Sequence, residues 1–147
     1  MENKEGLIWY DGNLVDWKDA KLHVLTHGLH YASSVFEGER SYSGRIFKLH
    51  EHTERLLYSA SELDFEIPYS IDEIKQASYL TLEKNNLVDA YIRPIAWRGA
   101  ETVGVSAQNT KIHFAIAVWE WPSYFSPEDK LKGCLLYTSP SPRDDEL

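Results

Sequence analysis

The chain has 147 residues, 43% hydrophobic and 26% charged, which is the composition of one globular domain and excludes wholesale disorder. A formal charge of -8 argues against nonspecific contact with nucleic acid or anionic membrane, since both need a surplus of Lys and Arg, yet leaves room for a small anion held by a few arginines. One cysteine, Cys134, permits no internal disulfide, the N-terminal residues lack the blocks of a signal peptide, and no apolar run approaches the roughly 20 residues of a membrane span; the expectation is a soluble, cytoplasmic domain.

Ile8-Trp9-Tyr10 and Leu14-Val15 flank Asp11-Gly12-Asn13, a hairpin signal, because glycine supplies the positive φ of a tight turn. Residues 21–34 mix apolar residues with three histidines and a glycine, no period persists, and the stretch reads as irregular. Val35-Phe36-Glu37 and Arg45-Ile46-Phe47 are short strand candidates around Ser43-Gly44. Leu49, Thr53, Leu56, Leu57, Ala60 and Leu63 recur at three- and four-residue steps, the stripe of a helix with one buried face. Ser70-Ile71-Asp72-Glu73 is a capping box opening a second helix, which fades near Asn85-Asn86. Ala90 to Trp97 reads as a strand with Tyr91, Arg93, Ile95 and Trp97 on one face. Pro94 cannot donate to a ladder and so places that strand at an edge or a bulge. Residues 99–110 make a loop and Ile112 to Trp119 a more apolar strand. Strands, two helices, then strands again predict an α+β fold. The last residues, 134–147, hold two Ser-Pro pairs and an acidic finish without period, and read as a disordered or foreign tail.

Metal chemistry finds little support. His23, His27 and His30 have helical spacing in part, but Gly28 interrupts them and no acidic or sulfur ligand sits at useful distance. There is no Gly-rich phosphate loop of the Walker or dinucleotide type, and Ser33 and Ser34 lack a nucleophile-elbow context.

The segment His30-Tyr31-Ala32-Ser33-Ser34-Val35-Phe36-Glu37-Gly38-Glu39-Arg40 resembles the signature of the branched-chain amino acid aminotransferases, fold-type IV pyridoxal-phosphate enzymes, in their bacterial form. The resemblance continues through Phe47 to Leu56, Ala90-Tyr91-Ile92-Arg93-Pro94 and Trp119-Glu120-Trp121-Pro122-Ser123-Tyr124, and covers roughly residues 7–133. It implies the small N-terminal domain of such an enzyme at residues 1–133, with a mostly antiparallel sheet and two helices, and leaves 134–147 outside. D-amino acid aminotransferases and aminodeoxychorismate lyases share the fold type and remain alternatives. So does a non-catalytic interaction domain that pairs with a full-length homologue.

The resemblance assigns Arg55 to the phosphate of pyridoxal 5'-phosphate, a dianion that a guanidinium can hold bidentately; a solvated helix arginine is the ordinary alternative. It assigns Arg93, beside Tyr91, to the distal carboxylate of glutamate or 2-oxoglutarate, against a half-buried salt bridge as the alternative. Tyr31, Phe36, Trp121 and Tyr124 match positions that line the side-chain pocket, where aromatic rings offer apolar area to Leu, Ile or Val. Arg40 stands near the same pocket, and Gly38 permits close backbone approach. The implied reaction moves an amino group from a branched-chain amino acid to 2-oxoglutarate, in an enzyme that forms homo-oligomers. The lysine that carries the cofactor as a Schiff base lies, in the family, beyond the end of this chain. The nine lysines present all fall outside its motif, so the expectation is a truncated sequence without a catalytic residue of its own, inactive as written.

Overall fold

In the computed structural model, residues 4–121 and 126–133 are described. The hairpin forms as the Asp-Gly pair predicts. β1 (Leu7–Tyr10) and β2 (Asn13–Asp16) pair antiparallel, and Asp11 and Gly12 take φ of 47° and 93° in the turn. The stretch expected to be irregular holds a five-residue helix, α1 (His27–Tyr31), ended by Ala32 at φ 55°. Tertiary contact, not periodicity, makes this helix. The His27 N–H donates to the Gly99 carbonyl at 2.9 Å, and a Cβ on Gly28 would press within 3.3 Å of Trp97 and the Ser33 carbonyl. The glycine that breaks the sequence pattern is thus what lets the helix lie down.

Three short strands follow: β3 (Ser34–Phe36), β4 (Glu39–Tyr42) and β5 (Arg45–Ile46). β4 and β5 form a hairpin across Ser43 and Gly44, both at positive φ. α2 (Leu49–Glu62) buries Leu49, Thr53, Leu56 and Ala60, the predicted stripe, while Leu63 stays exposed just past its end. α3 (Ile71–Lys84) begins with the full capping box. Ser70 Oγ accepts the Glu73 N–H at 3.3 Å, and Glu73 Oε2 accepts the Ser70 N–H at 2.8 Å. β6 (Ala90–Arg98) and β7 (Ile112–Trp119) are the long strands, and α4 (Pro127–Lys132) is a short helix beyond them.

All strand pairs are antiparallel, in the order β2-β1-β7-β6-β4-β5, with β3 also against β6. This is the expected α+β sheet with two long helices, to which α1 and α4 add two short ones. Pro94 corrects the sequence reading: β6 lies inside the sheet, not at its edge. It pairs with β7 on one side and with both β3 and β4 on the other. The proline is tolerated because its missing donor falls at the break between β3 and β4. There Glu37 faces Pro94 in unbroken register, and the Pro94 carbonyl still accepts the Glu37 N–H at 3.0 Å.

One face of the sheet packs under α2 and α3 around Phe114, Leu56, Ile74, Ile92 and Ile116, all essentially inaccessible to water. Each such side chain contributes roughly 1.5–3 kcal/mol by burial. Trp97, Ile8 and Ala115 make a smaller cluster, with Tyr10, Ile95 and Ala117 packed around it. No helix among the described residues is long and apolar enough to cross a membrane.

Glu39 stands out in this core. It is 1% exposed, and neither carboxylate oxygen has a hydrogen-bond partner. Burial, with the nearby Glu37 charge adding to it, pushes its pKa up to about 8 from an ordinary 4.5. The folded state therefore keeps a proton that the unfolded chain releases, so Glu39 destabilises progressively as pH rises from 4.5 toward 8. Glu39→Gln is expected to raise the melting temperature, with a gain that is small at pH 4.5 and largest near pH 8. Thermal melts across that range check it, and a gain independent of pH would refute the assignment.

Candidate functional site

The alternation of β6 turns Tyr91 and Arg93 to the sheet face opposite α2 and α3, because Ile92 and Pro94 point into the helix-covered core. Arg93 Nη2 donates to the Tyr91 hydroxyl at 2.7 Å, and its guanidinium carbon lies 4.3 Å from the centre of the Phe36 ring. Its Nε is buried without a partner. Tyr91 also packs on Trp119 and Trp121, with centroids 4.8 and 4.9 Å away. Arg40, paired with Tyr91 across the β4–β6 ladder, donates from Nη1 to the Trp121 carbonyl at 3.2 Å. A Cβ on Gly38 would run into the Tyr91 hydroxyl, so only glycine lets the strand break pass this close.

Phe36, Gly38, Arg40, Tyr91, Arg93 and Trp121 therefore converge on one patch. Tyr31 stands elsewhere. Its ring packs on His27 at 4.6 Å, beside a cavity of about 170 Å³ shared with Leu25, His30 and the Thr102–Gly104 segment. Tyr124 and residues 134–147 lie outside the described residues.

Arg55 projects from α2 and is engaged by Glu37, whose carboxylate is nearly buried. Nε and Nη2 donate to Oε1 and Oε2 at 2.5 and 2.6 Å, and His52 Nδ1 sits 2.9 Å from Oε2. Glu37 and His52 are the residues that sequence reasoning missed. Glu37 lies inside the quoted signature, but no local period links it to α2, and only the fold closes that distance. The pair uses two of the five donors of the guanidinium. Among the described residues this leaves Nη1 to face solvent on a side chain that is 63% exposed. A second anion such as a phosphate fits there, with Glu37 holding the fork from behind. Among the described residues no group of His, Cys, Asp and Glu could hold a metal ion.

The comparisons with known proteins give the family. The family model described as Amino-transferase class IV matches residues 34–146, and the chain belongs to that family. Its relatives narrow the class. A branched-chain-amino-acid aminotransferase of Pseudomonas aeruginosa is 46% identical over 143 residues, 95% of this chain and 47% of that protein. A probable branched-chain-amino-acid aminotransferase of Rickettsia bellii is 46% identical over 94% of this chain and 46% of its own length. The crystal structure of the Escherichia coli branched-chain amino acid aminotransferase superposes with a TM-score of 0.79 at 40% identity, covering 85% of this chain and 43% of that one. The T.th. branched-chain amino acid aminotransferase, solved with pyridoxamine 5'-phosphate, does so with the same TM-score and identity over 86% of this chain and 43% of its own. The chain thus spans just under half the length of the relatives it matches.

Glu37 is held below its ordinary 4.5 chiefly by the Arg55 hydrogen bonds, against the opposing cost of burial and with help from His52. Its pairing therefore stabilises the fold above pH 4.5, and the contribution is lost as the pH falls through the depressed value. Glu37→Gln is expected to melt below the parent at pH 7, with the gap closing on acidification below 4.5. A gap of constant size from pH 7 to pH 3 would exclude a charged pair.

Proposed function

We propose that this chain is the substrate-binding half of a branched-chain amino acid aminotransferase, moving the amino group of Leu, Ile or Val to 2-oxoglutarate. The observation that carries the reading is the Arg93 guanidinium, buried at Nε and bordered by Phe36 and Tyr91 without a carboxylate partner among the described residues. A cation in an aromatic frame suits a substrate that is anionic at one end and apolar at the other. In this reading Arg93 binds the distal carboxylate of glutamate or 2-oxoglutarate, and Arg40, across the ladder from Tyr91, adds a second positive charge on the same face. Phe36 and Trp121 supply apolar wall for the branched side chain, and Gly38 leaves room for the Tyr91 hydroxyl beside Arg93.

Pyridoxal 5'-phosphate is the cofactor of the reading, and when bound it supplies the electron sink for moving the α-amino group. Arg55 holds its phosphate through Nη1, and Glu37 with His52 fixes the orientation of that guanidinium. The enzyme works as a homo-oligomer in the cytoplasm, in branched-chain amino acid biosynthesis. In this reading none of the nine lysines here carries the cofactor.

The test uses an enzyme in which this chain continues into a second half, recovered from the genomic locus. It is expected to transaminate Leu, Ile and Val. Arg93→Ala should raise KM for 2-oxoglutarate by roughly tenfold or more, the scale of a lost charged hydrogen bond, and should raise KM for leucine much less. Equal effects on both substrates would sink the Arg93 role. The 147-residue polypeptide by itself is expected to show no transaminase activity.

A further inference from the structure

We propose that Asp11, His113 and Glu101 form a proton-operated latch that holds the 99–110 loop to the sheet and closes the Tyr31 cavity on its Thr102–Gly104 side. His113 projects from β7 between two carboxylates that come from opposite directions. Nδ1 is 2.5 Å from Asp11 Oδ2 in the β1–β2 turn, and Nε2 is 2.7 Å from Glu101 Oε1 in the loop. A neutral imidazole carries one N–H and offers a lone pair at its other nitrogen, so it can bond only one of them. Both are satisfied only by the imidazolium. The ring cannot turn aside easily. It stacks on Trp97 at 5.6 Å and 20°, and Trp97 is itself edge-packed by Tyr10.

Of the groups that face His113, the two carboxylates favour its charge. These are Asp11 from the turn and Glu101 from the loop; the Tyr10 phenol from β1 is neutral and Trp97 from β6 is apolar. Burial acts to lower the pKa of His113, but the Asp11 and Glu101 bonds outweigh it and raise it above 6.5. The latch is therefore whole below pH 6.5 and opens as pH rises through the raised value.

The arm released on opening is the Glu101 arm. Asp11 is tied to the sheet twice more, because its carboxylate accepts the Phe114 N–H at 2.8 Å and its own N–H donates to the Phe114 carbonyl. Glu101 is bonded otherwise only within its own loop region, by its own backbone N–H and by the Lys111 N–H at 2.9 Å, among the described residues. Beyond Glu101 the loop carries Thr102, Val103 and Gly104 along the cavity, with both valines, Val103 and Val105, largely exposed. It is also held near Tyr31 at the Val105 carbonyl, 3.1 Å from His27 Nε2, and at the Gly99 carbonyl, which accepts the His27 N–H. Every group of the latch lies between residues 10 and 113, so the inference does not rest on the aminotransferase reading.

The test is nuclear magnetic resonance and hydrogen exchange on the whole 147-residue chain between pH 5 and 9. The His113 ring nitrogens are expected to titrate above pH 6.5. After correction for intrinsic exchange, amides of residues 100–105 should lose at least tenfold protection across the same midpoint while β6 amides keep theirs. Glu101→Gln should lower the His113 midpoint and leave the loop open at every pH, and His113→Gln should remove the pH dependence. A His113 midpoint at or below 6.5, or loop protection in the parent chain that is the same at pH 6 and pH 9, would overturn the proposal even if neither variant folds.

Discussion

The eight-pair ladder between β6 and β7, from Tyr91–Trp119 to Arg98–Ile112, decides which side chains meet helices and which meet whatever lies on the other side of the sheet. Strand side chains alternate, so one register assigns Ile92, Pro94, Ala96, Phe114, Ile116 and Val118 to the core together. It assigns Tyr91, Arg93, Trp119 and His113 to the opposite face together. A slip of one residue would bury Arg93 under α2 and α3 and expose Ile92. The packing of the core therefore enforces the position of the site from the other face of the sheet.

The second constraint is the break at Glu37-Gly38. A continuous strand from Ser34 to Tyr42 would demand a hydrogen bond from Pro94 that it cannot give. The gap this leaves is two residues long and does not shift the register, and Glu37, on the same face as the buried Val35 and Glu39, reaches α2. The gap also brings the backbone of Gly38 against Tyr91. One local defect thus couples the Arg93 patch to the Arg55 cluster, with Phe36 on one side of it and Arg40 on the other.

The sequence was most legible where a feature is local. Asp11-Gly12 and the Ser70–Glu73 capping box act over three or four residues, and both form as read. The α2 stripe is local in the same sense. Pro94 was misread because the rule that confines proline to edges treats the neighbouring strand as continuous, and here it is not. α1 was missed because Gly28 argues against a helix locally while Trp97, 69 positions along the chain, makes room for it. The site residues Phe36, Arg40, Tyr91, Arg93 and Trp121 could be named from their motifs, but not the contacts among them. Glu37 with Arg55, and His113 between Asp11 and Glu101, bring together groups that no spacing connects; the Asp11–His113 contact joins residues 102 positions apart.

Charge arrangement distinguishes the arginines on this acidic chain. Arg55 has its counter-ion in Glu37, so a second anion there binds a guanidinium already partly neutralised, and geometry matters more than net attraction. Arg98 spends its donors on the Ala107 and Asp64 carbonyls and serves to pin loops. Arg40 and Arg93 differ from both. Among the described residues their donors meet only a carbonyl and a phenol, which leaves two positive charges on one sheet face without a protein carboxylate. Keeping a guanidinium partly desolvated and without a counter-ion costs free energy that a structural role would not require, since a nearby Glu would remove the cost. In a chain with 23 acidic residues to draw on, the absence of such a carboxylate among the described residues is what favours the proposed anionic substrate.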